Sequence, residues 1–127
     1  MTQEDKQLLL EDLCGRLPYH VRCKIWLKDG TTEEGLLDLE HNYGDVLKDA
    51  FYYNHIKDIK PYLRSMSSMT EEERKEYDTL IKNIYYGYNG FHDTITVDYL
   101  NSIHVDYRGL IEKGLALEAP EGMYKEE

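Results

Sequence analysis

His20-Val21-Arg22-Cys23-Lys24-Ile25-Trp26-Leu27-Lys28-Asp29-Gly30 is the segment around which the rest of the chain is arranged. Val21, Cys23, Ile25 and Leu27 alternate with His20, Arg22, Lys24, Trp26 and Lys28, and this period-two spacing predicts a half-buried strand. Asp29-Gly30 predicts a tight turn, because glycine enters the positive-φ region without a Cβ clash. The chain then returns through Thr32–Glu40, which carries Leu37 and Leu39. A two-residue loop would set Asp38 opposite Val21, a carboxylate on the apolar face. A three-residue loop with a glycine bulge is expected instead, pairing Cys23 with Leu37, Val21 with Leu39 and Arg22 with Asp38.

The opposite face of that strand shows His20, Arg22, Lys24, Trp26 and Lys28, a basic row holding the single Trp. An indole stacks on a planar base and nearby cations neutralise phosphate, so the row fits an anionic ligand. Taken alone it reads more simply as a solvated strand face paired with Asp38 and Glu40.

On the N-terminal side, residues 1–17 predict a helix capped by Thr2, with Leu9, Leu10, Leu13 and Leu17 at helical spacing and Gly15 with Pro18 stopping it. After the hairpin, 41–45 is turn chemistry. Strands are expected within Ala50–Tyr53 and around Ile56–Lys60, the second ended by Pro61. Residues 19–63 therefore read as a small curled antiparallel sheet or an SH3-like barrel. Ser65–Met69 is a polar joint, and residues 69–117 form a helical part. There Thr70 and Glu73 make a capping box ahead of the stripe Tyr77, Leu80, Ile81, Ile84 and Tyr85. Val97, Leu100 and Ile103 mark another helix, with His104 near its end. Tyr107–Lys113 predicts a short helix closed by Gly114, and Leu115–Leu117 a last short strand or packed tail. Residues 118–127 are an acidic tail, expected to fray from Pro120. The whole is a single α+β domain with three to four helices flanking the sheet.

At 127 residues the chain is long enough to bury roughly two-thirds of its unfolded surface. It contains no apolar run near the roughly 18 residues of a membrane span and no export-signal pattern, so no membrane partner and a cytoplasmic setting are expected. Cys14 and Cys23 lack metal or redox spacing and read as reduced core thiols. A net charge of −10 argues against a duplex or long single-stranded nucleic acid, although a small nucleotide fits a locally basic patch. Twelve tyrosines suit a recognition surface, and Tyr86-Gly87-Tyr88-Asn89-Gly90 is a loop of binding composition.

The five histidines, at 20, 41, 55, 92 and 104, show no metal-ligand spacing, and neither a metal nor a cofactor is expected. No nucleophile elbow, phosphate loop or dinucleotide fingerprint is present. A small hydrolase would have only His92 and His104 to work with, so the chain reads as a binding protein rather than an enzyme.

Two segments, Lys60–Glu73 (KPYLRSMSSMTEEE) and Asp106–Tyr124 (DYRGLIEKGLALEAPEGMY), resemble small uncharacterised proteins of gut anaerobic bacteria and their phages. Together they cover about a quarter of the chain. Ser65 stands where that pattern has Pro. The resemblance implies a bacterial host cytoplasm and a mobile-element origin, and transfers no activity.

The reading that follows is a protein that sequesters an anionic nucleotide-type ligand, such as a phage anti-defence sponge for a cyclic nucleotide or ADP-ribose-derived immune signal. Its ligand residues are expected to be Arg22, Lys24, Trp26, Arg64, Tyr86, Tyr88 and Arg108. Pockets of this kind form between subunits, so a homo-oligomer is expected. The alternative is a protein-interaction module or acidic decoy that inhibits a host protein.

Overall fold

The computed structural model describes residues 2–37, 56–86 and 92–124. The turn expected at 41–45, the strand within 50–53 and Tyr88 lie outside the described residues.

Strands β1 (Val21–Leu27) and β2 (Thr32–Leu37) form the hairpin. The loop is the three-residue one: Leu27 N–H donates to the Thr31 carbonyl (2.9 Å), Gly30 N–H to the Leu27 carbonyl (3.1 Å), and Gly30 has φ 90. The Asp29 carboxylate locks the turn by accepting from both the Thr31 amide (2.9 Å) and hydroxyl (2.6 Å). The expected register is corrected, however. Val21 pairs with Leu37 and Cys23 with Gly35, each two positions earlier than expected, because Lys28-Asp29-Gly30 closes directly on Leu27 and Thr31. A shift of two keeps the faces intact. Gly35 thus stands across from Cys23, Lys24 opposes Glu34, and Arg22 opposes Leu36 rather than Asp38.

Strand β3 (Ile56–Leu63) flanks β1 on its other side, antiparallel, with Ile25 opposite Ile59 and Cys23 opposite Pro61. Pro61 does not end the strand. It is buried, and on the far side the two-residue β4 (Leu117–Glu118) pairs only with Tyr62 and Leu63, so the missing N–H interrupts no ladder there. The order β2-β1-β3-β4, with β4 parallel to β3, makes a small mixed sheet that, among the described residues, does not close into a barrel. The protein is α+β, and of the two expected forms the open sheet is the one found.

Helix α1 (Gln3–Arg16) starts at Thr2, whose hydroxyl accepts from Asp5 N–H at 3.0 Å. Leu9 and Leu13 are fully buried in the core with Val21, Cys23, Ile25, Ile59, Leu63, Leu110 and Leu115. Gly15 does not stop the helix; a Cβ there would meet the Asn101 side-chain amide at 3.2 Å, so the glycine admits a close approach. The chain leaves α1 through a 3-10 turn (Leu17–Tyr19) and the left-handed His20 (φ 59). Cys23 is buried and burial pushes its thiol up to about 12, whereas Cys14 is exposed on α1 and is no core thiol; both are free.

Helices α2 (Glu71–Tyr86) and α3 (His92–Ser102) enclose a second cluster of Met69, Leu100 and Val105, with Tyr77 and Tyr99 at its edge. Among the described residues these make three helices in all. Residues 107–114 are turns and not the expected short helix. The Asp106 carboxylate captures the Leu110 and Ile111 amides (2.8 and 2.9 Å), and Gly114 at φ 75 closes the segment. The tail does not fray at Pro120: it stays docked through Tyr124, whose hydroxyl donates to the Tyr62 carbonyl at 2.7 Å.

Candidate functional site

The inner face of β1 is committed to the core, so alternation turns Arg22, Lys24 and Trp26 to the other side of the sheet. Arg22 is exposed, and Lys24 and Trp26 are half-buried. Strand β3 supplies Lys60 directly opposite Lys24, and Asp58 opposite Trp26. Both ammonium groups lie over the indole, Lys24 Nζ at 5.4 Å and Lys60 Nζ at 5.7 Å from the ring centroid. At the other end of this face Tyr62 reaches across β1, its hydroxyl donating to Glu34 Oε1 at 2.6 Å. That bond pushes the Tyr62 phenol up to about 12. The result is a strip on which one indole holds two like charges, bordered by carboxylates.

The remaining expected ligand residues are elsewhere. Arg64 has no donor to spare: Nε and Nη2 reach Ser68, Nη1 and Nη2 grip both oxygens of Glu73 (2.8 and 2.7 Å), and Nη1 reaches the Ile103 carbonyl. It is a crosslink joining the end of β3 to α2 and to the segment after α3. Arg108 belongs to the α1 side of the sheet, with Nε 3.3 Å from Asp12 Oδ1 and its guanidinium 5.2 Å from the Tyr107 ring. Tyr86 is the last residue of α2, and its side chain lies outside the described ones, as does all of Tyr88. The structure therefore gathers Arg22, Lys24 and Trp26, and keeps Arg64 and Arg108 away from them. A recess along α1, from Gln3 to Glu11, contains none of these residues.

Two features escaped the sequence reading. Lys60 carries half of the basic strip, and strand pairing alone brings it to Lys24. A buried polar cluster lies under α1: Arg16, fully buried, binds Asp12 through Nε (2.8 Å) and Nη2 (3.2 Å) and the Val105 carbonyl through Nη2 (2.8 Å). The spacing of Leu9, Asp12, Leu13 and Arg16 could have revealed it, since these four share one helix face. Among the described residues no group of three or more His, Cys, Asp or Glu could hold a metal ion, and no helix is long and apolar enough to cross a membrane. No family model, curated protein or solved structure matches this chain.

Proposed function

We propose that this chain is a binding protein rather than an enzyme, and that its outer sheet face takes an anionic, ring-bearing ligand of nucleotide type. The observation that carries the reading is the Lys24–Lys60 pair. Like charges directly opposite one another on neighbouring strands cost stability, yet here both lean over the same indole. A phosphate between the two ammonium groups relieves that repulsion, while Trp26 offers a stacking plane for a base. The ligand set is then Arg22, Lys24, Trp26 and Lys60. Asp58, across from Trp26, directs the anion toward the lysine end.

Magnitudes limit what one chain achieves. A base on an aromatic ring contributes about 1–3 kcal/mol, and each exposed ion pair at most about 1. Since about 4 kcal/mol corresponds to a millimolar Kd, tight sequestration requires a second copy closing over the strip, and a homo-oligomer is part of the proposal. The narrower form, a phage protein holding a cyclic nucleotide or ADP-ribose-derived immune signal in a bacterial cytoplasm, is supported by the resemblance of two segments alone. A second reading, a protein-interaction module, draws on the carboxylates of Glu34 and Asp58 bordering the strip, which suit the mixed charge of a protein partner.

Trp26 is the only tryptophan, so its fluorescence reports on this face directly. Titration with AMP, ADP and cyclic AMP is expected to give saturable quenching that adenosine does not match and that Lys24→Ala/Lys60→Ala abolishes, with the ligand recovered unchanged. Absence of quenching by every nucleotide up to about 10 mM overturns the ligand class. Altered ligand after incubation overturns the non-enzymatic reading.

A further inference from the structure

The C-terminal segment is fastened by one tyrosine. Ala119 N–H donates to the Leu63 carbonyl (2.7 Å), carrying the pairing one residue past β4. A turn follows in which Gly122 takes φ 85 and Met123 N–H returns to the Pro120 carbonyl (3.1 Å). The Tyr124 hydroxyl then enters the sheet, donating to the Tyr62 carbonyl (2.7 Å) and accepting from Arg22 N–H (2.9 Å). Continuing the Cys23–Pro61 register by one step would set Arg22 against Tyr62. The phenol stands between those two residues, bridging β1 and β3 where their ladder parts. Its ring is stacked on His104, with centroids 3.8 Å apart and planes 15° from parallel.

His104 is placed for its neutral form. Its backbone is left-handed (φ 64), and its Nδ1 is buried without a hydrogen-bond partner, so a proton added there would find no acceptor. The charged and titratable groups acting on the imidazole are Arg16 from α1, Arg64 from the end of β3 and His20 from the turn before β1, with Tyr124 against its face. The carboxylates beside those arginines are already engaged, Asp12 with Arg16 and Glu73 with Arg64. Burial first, and then these cations, hold the ring down to about 4 from its ordinary 6.5.

We propose that residues 119–124 form an acid-released strap: protonation expels the His104 ring from its stack with Tyr124, the phenol leaves its place between β1 and β3, and the segment undocks while the rest of the fold persists. The sign follows from linkage. The undocked imidazole binds a proton from about pH 6.5 downward and the docked one only near 4, so docking is complete above that window and weakens as pH falls through it. Arg22 and Tyr62 both belong to the face that carries Trp26, so release loosens the backbone beneath it. The strap itself does not depend on what that face binds.

Amide exchange by NMR on the full chain tests this, read as protection factors so that the intrinsic pH dependence cancels. Arg22 and Ala119 report on the strap, and the β1–β2 ladder reports on the fold. Between pH 7 and 4 the two strap amides are expected to lose at least about tenfold in protection while the ladder keeps its own. His104→Asn tolerates the left-handed backbone and carries no titrating ring, and it should show no such loss. Tyr124→Phe keeps the stack, and should leave Arg22 unprotected at pH 7 with Ala119 still protected and acid-responsive. Strap protection unchanged at pH 4, loss in step with the ladder, or the same acid loss in His104→Asn each overturns the proposal. Should His104→Asn not fold, the His104 ring titration in the native chain decides: its midpoint must coincide with the loss at Arg22.

Discussion

A lysine placed opposite a lysine invites a substitution that separates stability from function. Lys60→Glu replaces repulsion with attraction across β1 and β3, and is expected to stabilise the fold by up to about 1 kcal/mol while removing the anion response of Trp26. Urea midpoints and the fluorescence titration read the two effects on one sample; a destabilised variant would show that the lysine pair is not in tension. Asp12 calls for the opposite argument. It is fully buried, bonded to Arg16, and 3.3 Å from Arg108, so Asp12→Ala leaves a buried guanidinium without its anion. Losing one partner of a buried pair costs about 3–5 kcal/mol, whereas Asp12→Leu with Arg16→Met removes both charges and should cost less than the single change. Urea denaturation of the two variants checks the ranking. Neither Asp12 nor Arg16 belongs to the stripe that the sequence predicts for α1, Leu9, Leu10, Leu13 and Leu17, because a charge at a core position looks the same in sequence as a charge on the rim.

Among the elements, α2 has the most thoroughly specified start. Thr70 Oγ accepts from Glu73 N–H (3.1 Å), the Glu73 carboxylate accepts from Thr70 N–H (2.9 Å), and the same carboxylate takes both Nη groups of Arg64. The Arg64 guanidinium, foremost, holds Glu73 down at about 2. A carboxyl lowered in the fold contributes stability that is present above its ordinary 4.5 and is lost as pH falls toward about 2. Glu73→Gln should therefore cost about 1–2 kcal/mol at neutral pH, toward the low end for a rim pair, and should flatten the acid limb of a thermal-melt profile between about pH 4.5 and 2. An acid limb as steep as that of the native chain would show that other carboxylates govern it. The capping box was readable because it is local: four residues contain both donors and both acceptors. The hairpin was only half readable for the converse reason. Asp29-Gly30 predicted the turn, and keeping Asp38 off the apolar face selected the three-residue loop, but the register depends on which backbone pair closes it, and a shift of two preserves every apolar face, so alternation could not choose. Arg64 lay beyond sequence reasoning altogether, since its acceptors come from three separate places along the chain.

At the scale of the molecule the sheet divides the charges. Its α1 side holds Arg16 and Arg108 with Asp12 among them; its other side holds Lys24 and Lys60 over Trp26, with Arg22 farther along the same face of β1. Period-two spacing in β1 made that division predictable, while the separation of Arg64 and Arg108 from the strip is a matter of tertiary geometry that spacing does not encode. The described residues thus place a basic strip on a chain of net charge −10, a combination that disfavours non-specific polyanion binding; a ligand there would gain a single stack and two or three screened ion pairs. If capture is the role, affinity has to come from assembly. A ligand shared by two strips gains a second stacking plane and loses its water, so association and ligand binding must be linked: ligand shifts the chain toward the larger species, and dilution weakens ligand binding. Sedimentation velocity with and without ADP, across about a hundredfold range of protein concentration, should show a ligand-dependent shift in mass together with a concentration-dependent midpoint in the Trp26 titration. A chain that stays monomeric throughout, with a midpoint independent of its concentration, would leave the strip too weak to sequester a nucleotide, and the mixed-charge face would then be better matched to a protein partner that supplies the missing wall.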